Sequence, residues 1–193
     1  IIVGGCGNPR KDLEFFREVA EMASGEGIVL ASVTVNMDIG EYAKLIVDHG
    51  HVALALAFMN ISQLKYLSRK LVENGVPRNK IILDPSTGGL GYGLEYSFSI
   101  IETIKLGALR GDVDLQSPIC IASSNAWAAR EAWMKNPLWG DRKWRGPLWE
   151  AITAMTLILA GADMAMMLHP LSAKIVKRYC ESITRVVDLP KAE

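Results

Sequence analysis

The chain has 193 residues, 50% of them hydrophobic, and its 21 basic residues balance 21 acidic ones. That suits one sizeable globular domain and argues against a nucleic-acid or anionic-membrane surface as its main business. Cys6, Cys120 and Cys180 are far apart, with no C-x-x-C spacing, so they read as reduced cytoplasmic thiols and assign no iron–sulfur or metal site to this chain.

Ile1-Ile2-Val3 predicts a strand that runs into Gly4-Gly5-Cys6-Gly7-Asn8-Pro9. The following helix carries Leu13, Phe16, Val19, Ala20 and Ala23 at helical spacing. Residues 28–35 form an apolar, β-branched run ending at Asn36, and a helix over 39–48 stops at Gly50, a good C-cap residue. His49 and His51 flank that glycine and are expected in solvent rather than as ligands. A strand over 52–58 leads to Asn60, which is placed to cap a helix over 61–73. Residues 81–83 form a short apolar run closed by Asp84, and a helix over about 95–109 follows. A strand over 118–122 closes on Ser123-Ser124-Asn125. Pro147 is expected at the first position of a helix over 148–160, with Glu150 in its first turn. That helix is apolar nearly all round and is expected to be buried. A strand over 163–168 ends in His169-Pro170, and a final helix spans about 172–183. The most apolar stretch, 151–162, is too short to span a bilayer, and no signal peptide is evident.

The organising stretch is IILDPSTGGLGYGLEY, residues 81–96. A strand ending in an acid, then Pro85, Ser86, Thr87, Gly88, Gly89, Gly91, Tyr92 and Gly93, allows backbone N–H groups to approach a ligand closely. The competing reading is a plain strand-to-helix turn. Neither the G-x-G-x-x-G spacing nor a phosphate loop with Lys is present.

Strands alternate with helices, and the strands are apolar on both faces, which is the pattern of a parallel sheet covered by helices. An open sheet and part of a (β/α)8 TIM barrel both fit. Asn8, Asn36, Asn60, Asp84, Asn125 and His169 each close a different strand, and a barrel would gather them on one rim. This favours the barrel, although each asparagine alone also reads as a helix cap. About six β/α units are visible, and the chain starts inside a strand without Met. The expectation is one domain over 1–193, the C-terminal part of a longer chain that lacks its N-terminal units.

All five tryptophans, Trp127, Trp133, Trp139, Trp144 and Trp149, fall within 23 residues beside Arg130, Arg142, Lys143 and Arg145. With Pro137, Gly140, Gly146 and Pro147 among them, the segment reads as largely loop and as a partner surface. No Ser-His-Asp, H-E-x-x-H or D-x-H-x-x-G pattern appears, and His169 is the histidine best placed for chemistry.

Two stretches, LDPSTGGLGYGLEYSFSIIETIKLGALRGDVDLQSPI and RGPLWEAITAMTLILAGADMAMMLHP, carry a resemblance that runs over essentially the whole chain. It resembles the small (delta) subunit of the corrinoid iron–sulfur protein of the acetyl-CoA synthase/carbon monoxide dehydrogenase system. The D-P-x-x-G-x-G flavour is also similar, more loosely, to pterin-binding barrels such as dihydropteroate synthase. The resemblance implies a (β/α)8 barrel paired with a large subunit that holds the iron–sulfur cluster, with a corrinoid of the cobalamin type between them. It also implies a methyltransferase and acetyl-CoA synthase/carbon monoxide dehydrogenase as partners, with methyl transfer from a methyltetrahydropterin in one-carbon metabolism. The expected cofactor-binding residues are Asn36, Asn60, Asp84, Ser86, Thr87, Gly88, Gly89, Gly91, Tyr92, Asn125 and His169. No catalytic residue is assigned, and catalysis by this chain alone is not expected. The alternatives are a stand-alone pterin-binding methyltransferase, with Asn60, Asp84 and Asn125 on the pterin ring, and a structural docking subunit.

Overall fold

A computed structural model describes residues 1–187, with side chains to residue 184. Two compact units emerge, one of Ile1–Ser86 and Ser99–Cys120, the other of Thr87–Phe98 and Ile121–Glu193.

In the first unit β1 (Ile2–Gly4), β2 (Val29–Val33), β3 (Val52–Leu56) and β4 (Ile81–Asp84) make a parallel sheet in the order β1-β2-β3-β4. Leu54 lies opposite Ile82, and Leu83 opposite Ile119 on its far side. Parallel neighbours need crossovers. They are supplied by α1 (Pro9–Met22), α2 (Ile39–His49) and α3 (Ile61–Glu73). Each begins on a side-chain cap: Asn8 accepts from Lys11, Asp38 from Glu41 and Asn60 from Gln63. Gly50 ends α2 in the left-handed conformation, as its position suggests. Phe16, Leu30, Tyr42, Leu54, Leu64, Leu67 and Leu83 are fully buried between sheet and helices. The Tyr42 hydroxyl donates to the Leu30 carbonyl, and burial pushes its pKa upward.

Three expectations need correction here. Strands β2 and β3 stop earlier than 28–35 and 52–58 imply, because residues 34–36 and 57–59 leave the ladder to form rim loops. Met59 sits at φ 49, with its N–H donated to the Pro85 carbonyl at 3.0 Å. His51 is buried rather than solvated, with Nε2 3.1 Å from the Ala20 carbonyl, so it locks the end of α1 from within.

The helix α4 (Leu94–Leu109) begins among residues of the second unit, and β5 (Cys120–Ala122) ends among them. The second unit continues with a 3-10 turn (Ser123–Ala128), α5 (Arg130–Trp133), another 3-10 turn (Pro137–Trp139), α6 (Arg142–Ala160), β6 (Met164–Met166) and α7 (Pro170–Val187). Strands β5 and β6 pair with each other. Helix α6 starts six residues before the expected position 148, capped by Asp141, and Pro147 lies inside it. Gly146 explains this local sequence. A Cβ there would fall 2.3 Å from the Trp127 ring, so only glycine lets helix and indole meet. Around Ala151, Ala154 and Val176, side chains of α6, β6 and α7 form the unit's core. Among the described residues no helix is long and apolar enough to cross a membrane.

Candidate functional site

Ligand sites in α/β folds gather at the C-terminal ends of parallel strands. After β1 the chain doubles back over the carboxylate of Asp12, which accepts from the N–H groups of Cys6 at 2.7 Å and Gly7 at 3.0 Å. A Cβ on Gly5 would lie 2.4 Å from Asp12 Cγ, so this glycine permits the close turn. Asp12 is buried in α1, and the glycines before it are the one signal in the sequence that could have marked it. Gly5, Gly7, Asp12, Ser32, Thr34 and Met37 line a cavity of about 190 Å³. A second cavity of about 350 Å³ shares Gly7, Pro9, Thr34 and Leu56 with it and extends to Val35, Asn36, Phe58 and Gln63. Phe58 is 72% exposed at its mouth, and Val35 and Met59 are exposed as well. Asn36 is exposed at the same mouth, and α2 is capped by Asp38 rather than by Asn36. Asn60 spends its side-chain oxygen on capping α3.

Asp84 ends β4 and is 5% exposed. Its Oδ1 accepts from Ser86 N–H at 2.8 Å, which holds Ser86 at φ 69. Burial pushes its pKa up to about 6, with the Ser86 hydrogen bond pulling the other way. Cys120, on the neighbouring chain segment, is pushed up to about 12 by burial and by the Asp84 charge. The thiol is therefore inert near neutral pH. Asp84 can hold or release a proton in the physiological range.

The glycine loop belongs to the second unit, and most of its polar groups are spent internally. Thr87 accepts from Ala122 N–H at 2.9 Å through its hydroxyl, and its carbonyl accepts from the Asn125 amide at 3.0 Å. Gly88 N–H donates to Ser97 Oγ at 2.7 Å and Leu90 N–H to Thr153 Oγ1 at 3.0 Å. Trp149 Nε1 donates to the Leu90 carbonyl at 3.1 Å. A Cβ on Gly88 would lie 2.4 Å from the Gly93 carbonyl oxygen, and one on Gly89 would lie 2.8 Å from Ala126 Cα. These two glycines serve the loop's own closure. Gly91, at φ +76, faces open space, and beside it Tyr92 and Tyr96 are exposed, Tyr96 at 67%. Tyr96 was not singled out by sequence reasoning; its place in the first turn of α4 is what projects it.

His169 precedes α7, where its Nδ1 accepts from Leu171 N–H at 3.1 Å while the ring stacks on Trp127 with centroids 6.0 Å apart. Glu150 is fully buried, well inside α6 rather than in its first turn. Its carboxylate accepts from the N–H groups of Leu168 and His169 and so holds the turn that presents the imidazole. Of the expected residues, then, Asn36, Asn60, Asp84 and Ser86 lie at the strand ends of the first unit. Thr87, Gly88, Gly89, Gly91, Tyr92, Asn125 and His169 lie in the second, where Thr87 and Asn125 are joined directly.

A family model described as CO dehydrogenase/acetyl-CoA synthase delta subunit matches residues 1–176. The acetyl-CoA decarbonylase/synthase complex subunit delta of Archaeoglobus fulgidus is 47% identical over 184 residues, covering 92% of this chain and 41% of that protein. The subunit of the same name from Methanosarcina mazei is 40% identical over 200 residues, covering 100% of this chain and 46% of that protein. The chain thus spans under half the length of these relatives. Among solved structures, Yersinia pestis dihydropteroate synthase with a sulfonamide drug matches at a TM-score of 0.58 and 13% identity, covering 96% of this chain and 80% of that one. Dihydropteroate synthase from Thermus thermophilus with 4-aminobenzoate gives 0.57 at 17% identity, covering 96% and 82%. At such identities the likeness is one of fold, an α/β chain whose neighbours are TIM-barrel enzymes.

Proposed function

Because this chain belongs to the CO dehydrogenase/acetyl-CoA synthase delta subunit family, we propose that it is a corrinoid-capping subunit that supports methyl transfer within its complex. Its six β/α units are, on this reading, part of a (β/α)8 barrel. The carrying observation is the mouth of the cavity of about 350 Å³ in the first unit. Val35 and Phe58 are exposed there, and the amides of Asn36 and Gln63 stand among them. Exposed apolar side chains cost solvation unless something covers them, and amides beside them suit a large apolar ring system edged with amide groups. A corrinoid fits that description. When bound, it supplies the cobalt that carries the methyl group between donor and acceptor.

This chain's part is to cover one face, exclude water and orient the ring's periphery through Asn36 and Gln63. Asp84, with its pKa near 6, is a proton-holding group at the adjoining strand end. Tyr92, Asn125 and His169 are the second unit's candidate cofactor contacts. The iron–sulfur cluster belongs, on this reading, to a large subunit, and a methyltransferase and the synthase are the further partners, all cytoplasmic.

The test is to purify the chain alone and together with the large corrinoid iron–sulfur subunit and to record visible spectra. Corrinoid bands stabilised in the pair and weakened by Phe58→Ala support the reading. Spectra of the large subunit that do not change on adding this chain refute it. The second reading, a pterin-binding methyltransferase, draws on the fold likeness to dihydropteroate synthase, one structure of which holds a pterine-sulfa conjugate. Calorimetry of the isolated chain with a methyltetrahydropterin decides for it if binding is tight and is lost in Asp84→Asn.

A further inference from the structure

Helix α6 carries an apolar face that the rest of the second unit leaves uncovered. Its inner face, Ala151, Ala154, Leu157 and Ala160, is buried. Trp144, Leu148, Ile152 and Leu159 are 50%, 45%, 37% and 63% exposed. They recur at intervals of four, four and seven residues, so they form one stripe along the helix. At 1.5 Å per residue that stripe is about 22 Å long. The sequence alone implies a helix over 148–160, apolar nearly all round from 151 to 160 and buried; the structure extends it back to Arg142 and adds Trp144 to the stripe.

The other tryptophans divide sharply. Trp127 packs on Gly146 and Trp149 is tied to Leu90, so both are internal. Trp133, at the end of α5, and Trp139, in the 3-10 turn before α6 next to the almost fully exposed Leu138, are exposed.

Charge says what covers the stripe. Residues 121–184 hold eight basic side chains against five acidic ones, and one of each, Arg145 and Glu150, is buried. Arg130, Lys135, Arg142 and Lys143 are exposed around the start of α6, and Lys174, Lys177 and Arg178 are exposed on α7. Lys143 lies over the Trp144 ring at 5.3 Å. An isologous dimer through this face would set the basic patch against its own copy, and like charges facing each other oppose association. A different chain with a carboxylate-rimmed apolar groove is the complementary occupant.

We propose that the Trp144–Leu159 stripe of α6 is the docking surface for another protein subunit of the complex, one that presents an apolar groove bordered by acidic side chains. This rests on the subunit reading above, and the relatives are named as subunits of a complex.

The experiment measures affinity between the full-length protein and the complex reconstituted without it, for wild type, Ile152→Glu/Leu159→Glu and Ile152→Ala/Leu159→Ala. Both side chains are exposed, so melting temperatures should stay within a few degrees. Affinity should fall at least 100-fold in the Glu pair and about tenfold in the Ala pair. Arg142→Glu/Lys143→Glu should slow association and flatten its salt dependence. Unchanged affinity in the Glu pair overturns the proposal. So does self-association of the wild type that the Glu pair abolishes, or stripe-dependent binding to phosphatidylserine/phosphatidylcholine vesicles with no affinity for the complex. If wild type docks through the stripe but leaves corrinoid spectra unchanged, the capping reading fails and the docking surface stands.

Discussion

Asp84→Asn tests the energetics of the strand end directly. The carboxyl is buried and its pKa is raised from 3.8 to about 6. Folding therefore takes up a proton between those two values, so the folded state loses stability as pH rises through that window and stays at the lower level above it. Just over two pKa units, at 1.36 kcal/mol each, put the cost of the buried charge at about 3 kcal/mol above pH 6. Asparagine has nearly the same shape, and its Oδ1 can still accept from Ser86 N–H, but it carries no charge to bury. The variant should match wild type at pH 4 and exceed it by about 3 kcal/mol at pH 7.5, roughly 6–12 °C in melting temperature for a chain of this size. Urea unfolding of both proteins from pH 4 to 8 measures the difference, in which the other carboxylates cancel. A constant difference across that range, or a variant less stable at pH 7.5, would refute the reasoning. It would mean that Asp84 has a stabilising partner for its charge. A more stable variant that loses methyl transfer in the assembled complex would show that the buried carboxylate is kept for function at the expense of the fold.

Gly91→Ala should cost on the order of 1 kcal/mol because of the positive φ. The space around Gly91 is open, so a further loss of corrinoid occupancy in Gly91→Val, seen by visible absorbance, would mark a ligand against the loop. Gly146→Ala forces a Cβ into the Trp127 ring. It should destabilise by about 1–3 kcal/mol and change the near-ultraviolet circular dichroism, and Trp127→Leu in the same chain should recover part of the loss. Glu150→Gln leaves one of the two N–H groups of Leu168 and His169 facing an amide NH₂. It should cost about 1–3 kcal/mol in chemical unfolding and raise hydrogen exchange at 168–169.

The architecture was legible because each element has a local physical cause in the sequence. Asn8 and Asn60 cap the helices they precede, Gly50 ends α2 in a left-handed turn, and Asp84 closes the strand it was expected to close. The misreadings have a different cause, a contact made with residues outside the element itself. His51 is buried because it reaches the carbonyl of Ala20, 31 residues earlier. Pro147 reads as a first-turn proline, yet Asp141 caps the helix earlier and Gly146 must already be helical to receive Trp127. Asp12 and Glu150 look like ordinary first-turn acids, and no periodicity shows that each gathers two backbone N–H groups from another segment.

The glycine loop shows why composition overstates a ligand site. Glycines at 88 and 89 would suit close approach by a ligand, but the approach they permit is that of Gly93 and Ala126. The N–H groups of Gly88, Leu90 and Tyr92 are already hydrogen-bonded inside the unit, which removes them from any ligand cradle. What it offers outward is the side chains of Tyr92 and Tyr96 and the bare backbone at Gly91. Exposed aromatic faces beside bare backbone suit contact with a broad ring system. Tyr92→Ala and Tyr96→Ala are therefore the variants that test this loop's share of the proposed cofactor contact, beside Asn125 and His169. The glycines at 88 and 89 report on folding whatever the ligand.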